Sequence, residues 1–164
     1  MQNGVIIPDG YKSVLSLRET QQAIKYIKDV FQQTLASFLV LDRVTAPLIV
    51  PANSGINDDL NGVERKVDFS IAAVGCDAEI VQSLAKWKRL ALYRYGYGAG
   101  EGIYTDMNAV RRDDAVDNIH SVFVDQWDWE KVITREDRTV EYLKDTVCSI
   151  VKAVVYANRK VRLR

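Results

Sequence analysis

The segment Ser16 to Phe38 limits what this chain can fold into more than any other. Ser16-Leu17-Arg18-Glu19 has the spacing of a capping box, in which a hydroxyl accepts from an orphan amide at a helix start and a carboxylate reaches back. From there Ile24, Ile27, Phe31, Leu35 and Phe38 recur at helical spacing, while Lys25, Lys28, Asp29, Gln32 and Gln33 fill the opposite face. A long amphipathic helix is expected, and it needs a core to lie against. The composition supplies one: 48% of the 164 residues are hydrophobic and 27% are charged, which suits a globular domain and excludes wholesale disorder or collagen-like order. The length corresponds to a single domain, 1–164.

The residues after the helix, Leu39 to Val50, are rich in β-branched side chains and are broken by Pro47, which points to a strand end or edge. Pro51 to Gly62 (PANSGINDDLNG) reads as a loop carrying carboxylates. Val67, Phe69 and Ile71 alternate as a half-buried strand, and Ile80-Val81 leads to Ser83, a candidate cap for a second helix over Leu84 to Tyr95 that stops at Gly96. Met107 to Arg112 and Ile119 to Trp129 read as two antiparallel strands joined by a charged hairpin. Alternation in the second places His120, Val122, Val124, Gln126 and Asp128 on one face, and Phe123, Asp125, Trp127 and Trp129 on the other. A third helix begins after Thr139 and ends in the basic run Arg159 to Arg164, which suits a helix C-terminus and its dipole better than a nucleic-acid contact.

Twenty-two Lys and Arg balance 22 Asp and Glu, which argues against a protein that holds nucleic acid or anionic membrane by bulk charge. No apolar stretch approaches the roughly 20 residues of a membrane span, and MQNGVIIPDGYKS lacks the features of a signal peptide, so a cytoplasmic location is expected. Cys76 and Cys148 share no metal-type spacing with each other or with His120; two buried free thiols are expected, with one disulfide as the alternative. One histidine leaves little room for a serine- or cysteine-type triad. The glycine run Gly96 to Gly102 fails the dinucleotide fingerprint, because Glu101 stands three after Gly98 and no Walker Lys-Ser/Thr follows; a flexible or closely packed turn is expected. Polar groups at loop and strand ends remain: Asp58, Asp59, Lys86, Lys88, Arg111, Arg112, Asp125, Gln126 and Asp128. Carboxylates hold ammonium groups while Lys and Arg hold oxyanions, so the set suits a ligand with both. Each also has a plainer role: Asp58 as turn former, Lys88 on a solvated helix face, Arg111 paired with Asp113 or Asp114.

Four ordered blocks change the balance: Asn57-Asp58-Asp59-Leu60-Asn61-Gly62-Val63-Glu64-Arg65, Gln82-Ser83-Leu84-Ala85-Lys86-Trp87-Lys88-Arg89, Gly100 to Arg111 (GEGIYTDMNAVR), and His120 to Glu130 (HSVFVDQWDWE). Together they resemble the ammonia-dependent asparagine synthetase family, also called aspartate–ammonia ligase. The resemblance covers about Tyr11 to Ile150 and is expected to stop near Val151. It implies an α+β fold, an antiparallel sheet flanked by helices, like the catalytic core of class II aminoacyl-tRNA synthetases. Helix 16–38 and the following strand look like the first class II motif, at the interface of a homodimer; the hairpin around Arg111 and Gln126 looks like the second, which holds ATP.

The resemblance also implies substrates and roles. L-aspartate, ATP and ammonia would be converted through a β-aspartyl adenylate to asparagine, AMP and pyrophosphate. Arg111 would stabilise charge at the α-phosphate, and Gln126 would bond a substrate or adenylate oxygen. Lys88 would hold an aspartate carboxylate, and Asp58 the substrate ammonium or the incoming ammonia. Asp128 would line the amino-acid pocket, and His120 and Ser121 the nucleotide site. The family's third motif and its acidic Mg2+ ligands lie in a C-terminal half that these residues do not resemble. No metal ligand is therefore expected here, and the core is expected to be truncated. The alternative is a catalytically inactive remnant that serves as an interaction or dimerisation module.

Overall fold

A computed structural model describes residues 4–163. The elements in chain order are α1 (Leu17–Leu39), β1 (Leu41–Arg43), β2 (Ile49–Pro51), β3 (Val67–Ile71), β4 (Cys76–Ile80), α2 (Ala85–Tyr95), β5 (Gly102–Val110), β6 (Phe123–Lys131) and α3 (Val140–Arg162). They form two three-stranded sheets, ordered β1-β5-β6 and β2-β4-β3. The long hairpin β5–β6 is antiparallel over nine residue pairs, from Gly102↔Lys131 to Val110↔Phe123. The small sheet is antiparallel throughout. β1 departs from the antiparallel expectation: it runs parallel to β5, because the small sheet and α2 lie between the two strands in the chain and form the crossover that parallel neighbours need.

Helix α1 starts as the sequence dictates. The Glu19 amide donates to Ser16 Oγ at 3.3 Å, and the Ser16 amide donates to Glu19 Oε2 at 2.8 Å. The helix ends abruptly at Val40, whose φ of 57° puts a β-branched residue in the left-handed region so that β1 can follow at once. Its apolar stripe is buried only in the C-terminal half. Leu35 and Leu39 pack with Leu41, Tyr104 and Ala153, whereas Ile24, Ile27 and Phe38 are exposed. Pro47 does not end one strand; it separates β1 and β2, which belong to different sheets.

Alternation in β5 and β6 sorts the two faces of the hairpin. Tyr104 and Trp129 pack with α1, and the rings of Phe31 and Trp127 lie 4.7 Å apart. Asp125 shares this face and, with Asp106, pairs with Lys28 of α1 at 3.0 and 2.9 Å. Asp125 therefore lies away from the other candidate residues. The opposite face packs on α2 and the small sheet: Met107, Ala109, Val81, Leu84 and Val50 form one cluster, and Ile103, Ala91 and Leu92 another. Helix α3 closes over α1, capped by Thr139 Oγ1 accepting from the Tyr142 amide, and its last turn carries Arg159, Lys160 and Arg162.

Cys76 begins β4, a strand that the sequence reading passed over, and Cys148 lies on α3. Both thiols are free and exposed rather than buried. The glycine run is a turn followed by close packing. Gly100 has φ +90°, and Gly102 leaves no room for a side chain, since a Cβ there would lie 2.6 Å from both Leu41 Cδ2 and the Glu130 carbonyl oxygen. Among the described residues, no helix is long and apolar enough to cross a membrane.

Candidate active site

The α2-facing side of β6 meets α2 at a buried charge. Lys88 is completely buried, and its Nζ lies 2.5 Å from Asp128 Oδ1, whose side chain is 25% exposed. The approach is that of an ion pair without the angle of a hydrogen bond, so the ammonium's donors have no hydrogen-bond partner among the described residues. An ammonium out of water with unused donors is costly unless something else meets it. Lys88 is thus not on a solvated helix face.

Asp58 reaches the same helix from the loop. Its Oδ2 accepts from the Ala85 amide at 3.2 Å, closer than Ser83 Oγ at 3.4 Å, and its Oδ1 is 3.9 Å from Lys86 Nζ. The helix is therefore capped chiefly by a carboxylate from 27 residues away, with Leu84 and not Ser83 at the cap position. Asp59 pairs with Lys66 at 2.8 Å and Lys86 at 3.5 Å. The Lys66 ammonium holds the Asp59 carboxyl below its usual range. Burial pushes Glu130 up, and the charges of Asp128 and Asp58 push it further against the pull of Lys88 and Arg89. Asp58, Lys88, Asp128 and Glu130 thus share one electrostatic neighbourhood.

Gln126 sits opposite Met107, two residues from Asp128 on the same face, with Nε2 3.6 Å from the Met107 sulfur. Arg111 follows β5, its amide bonded to the Val122 carbonyl at 2.8 Å and its Nε donating to the Gln82 carbonyl at 3.4 Å. Arg111 pairs with neither Asp113 nor Asp114; Asp113 instead takes a forked contact from Arg65, which holds its carboxyl down at about 2. His120 and Ser121 are exposed at the hairpin tip, where His120 Nδ1 lies 2.9 Å from Asp117. At ~3.3 Å per residue, Arg111 and Val122 stand about 20 Å along the hairpin from Asp128, with Gln126 between. The candidates thus form a row, with Lys88 and Asp128 at one end and Arg111 and the tip residues at the other.

Sequence reasoning gave no role to Asn57, Glu79 or Gln82, all of them buried. Asn57 Nδ2 donates to Glu79 Oε2 and to the Ile80 carbonyl, both at 3.1 Å, and Asn57 Oδ1 accepts from the Gln82 amide at 2.8 Å. Asn57 and Gln82 open two of the four blocks, which was the available signal. Among the described residues, no group of three or more His, Cys, Asp or Glu side chains is placed to hold a metal ion.

The fold is that of a class II synthetase core: a solved ATP phosphoribosyltransferase regulatory subunit/histidyl-tRNA synthetase from Bacillus halodurans C superposes with a TM-score of 0.62 over 93% of this chain and 38% of its own, at 13% identity. The model of the family described as aspartate-ammonia ligase matches residues 18–164. The chain belongs to that family. It is 60% identical over 147 residues to an aspartate–ammonia ligase of Clostridium perfringens, and 51% identical over 161 residues to one of Lactobacillus acidophilus. These alignments cover 89% and 98% of this chain but 44% and 48% of the relatives, so the chain spans about half the length of the curated relatives it matches. The family match runs through residue 164, past Val151, where the resemblance was expected to stop.

Proposed function

We propose that this chain carries the aspartate-activating part of an asparagine-forming ligase. The observation that carries the reading is the fully buried Lys88, paired with Asp128 and still holding unused donors, at one end of a row that continues through Gln126 to Arg111. A carboxylate of aspartate would use the free Lys88 donors, and Asp128 or Asp58 would take its ammonium. The β-carboxylate would then lie along the row toward Gln126, whose amide bonds an oxygen without adding charge. ATP would enter from the Arg111 end, past His120 and Ser121. The β-carboxylate oxygen attacks the α-phosphorus, the bond to the leaving pyrophosphate breaks, and the Arg111 guanidinium meets the charge that gathers on the α-phosphate oxygens. Ammonia then attacks the adenylate carbonyl, loses a proton and displaces AMP.

The reading includes a homodimer built on α1 and β1, and a cytoplasmic setting. A second reading, an interaction module without catalysis, is favoured by one observation: Leu17, Ile24, Ile27 and Phe38 of α1 and Val140, Leu143, Val147, Val151 and Val154 of α3 are exposed. One assay separates the two. The folded chain is incubated with ATP, magnesium, aspartate and ammonium, and asparagine and AMP are measured. Formation of both in equal amounts is the expected result. Absence of both, with helical circular dichroism retained, would overturn catalysis by this chain in favour of the module.

A further inference from the structure

Gln82 stands at the junction of two segments that the proposed chemistry uses. Its side chain is wholly buried, with Nε2 donating to the Arg65 carbonyl at 2.9 Å. Its amide donates to Asn57 Oδ1 at 2.8 Å, and its carbonyl accepts from Arg111 Nε at 3.4 Å. Arg65 in turn binds Asp113, two residues beyond Arg111, through its own amide at 2.7 Å and through its guanidinium. The contacts close a ring: Gln82 to Arg65, Arg65 to Asp113, along the chain to Arg111, and Arg111 back to Gln82. Within that ring the Gln82 carbonyl bond is the only side-chain hydrogen bond of Arg111 among the described residues.

Packing alone does not account for a glutamine here. Its Oε1 is buried without a partner, and a leucine would fill similar space with no orphan acceptor. What the amide adds is the Nε2 donor to Arg65. We propose that Gln82 is a positioning residue that fixes the Arg111 guanidinium, acting through the Arg65–Asp113 arm of the ring and its own carbonyl. The inference rests on the role given to Arg111 above. It assigns Gln82 no contact with substrate. Binding Arg111 by Nε leaves its two terminal amino groups for the paired hydrogen bonds that an α-phosphate accepts, and a guanidinium held in one plane serves a developing charge better than one that must be oriented during reaction.

The test compares wild type with Gln82→Leu, which lacks the donor, and Gln82→His, which restores a ring N–H. Aspartate-dependent ATP–pyrophosphate exchange is expected to fall about tenfold in kcat for Gln82→Leu, with the aspartate KM within about twofold, and to recover in Gln82→His. A merely structural role would move both constants, or neither, and would overturn the proposal. The second measurement needs no activity: the Arg111 Nε–Hε proton, followed by NMR, is expected to exchange about tenfold faster with water in Gln82→Leu. Unchanged exchange overturns the positioning role. A wild type without pyrophosphate exchange would overturn the function proposed for the site, and the Arg111 proton would still decide whether Gln82 holds that side chain.

Discussion

Lys88 and Asp128 face each other across the α2–β6 contact with unequal burial, the lysine wholly enclosed and the carboxylate a quarter exposed. Removing one partner of a buried pair costs most when it strands the more deeply buried charge. Asp128→Ala is therefore expected to destabilise the fold by about 3 kcal/mol, and Lys88→Met by much less, because a methionine fits the enclosure and leaves Asp128 able to reach water. Urea denaturation of the two variants checks the order, and equal losses would refute it. Lys88→Met should nevertheless lose aspartate binding, measured by calorimetry.

Arg111→Ala tests the other end of the row. The Arg111 side chain makes one long hydrogen bond, at 3.4 Å, and the amide bond to Val122 survives its truncation, so Arg111→Ala should leave the melting temperature nearly unchanged while abolishing adenylate formation. Retained pyrophosphate exchange in the folded variant would show that another group meets the α-phosphate.

Gly102→Ala probes the junction of all three strands of the larger sheet. The added Cβ would meet Leu41, Glu130 and Lys131 at 2.6 to 3.0 Å, two of these contacts being backbone atoms that cannot swing away. Overpacking of this kind costs about 1–3 kcal/mol. The melting temperature should drop, with protection from hydrogen exchange lost first at β1; an unaltered melt would mean that the strands part without cost.

Asp113 sets a pH dependence. Its carboxyl titrates near 2 in the folded chain because Arg65 binds the ionised form, against 3.8 for an unperturbed aspartate. A depressed acid stabilises above its unfolded value and loses that contribution as pH falls through the folded one, so the Arg65 contact should hold above about pH 4 and fail between about 4 and 2. Wild type and Asp113→Asn should then differ in melting temperature at pH 6 and converge at pH 2. A difference that persists at pH 2 would sink the assignment. The group is exposed, so the effect is small and shrinks with salt.

Local signals survived into the fold and non-local ones did not. The Ser16 and Glu19 capping box lies within four residues, and the alternation of Gln126 and Asp128 against Asp125 and Trp127 is a property of one strand, so both were legible. Alternation separates Asp125 from Gln126 and Asp128, and on that other face Asp125 meets Lys28 of α1, a partner 97 residues away that alternation does not name. The parallel pairing of β1 with β5, the division at Pro47 and the capping of α2 by Asp58 all depend on segments brought together over 27 to about 60 residues, which no window on the sequence contains. Lys88 was legible as a candidate only through the block that carried the resemblance. Its complete burial comes with the docking of α2 on β6, where Asp128 meets it, and periodicity in an eleven-residue helix left that undecided.

The bond from the Ala85 amide to Asp58 has a mechanical side. Lys88 lies three residues past Ala85, one helical turn along, so the carboxylate loop and the buried ammonium are two ends of a single short lever. A ligand that drew Asp58 away would leave the Ala85 amide to Ser83 Oγ alone, at 3.4 Å, and so loosen the turn that leads to Lys88. Occupancy at one end would then be felt at the other without any sheet having to move.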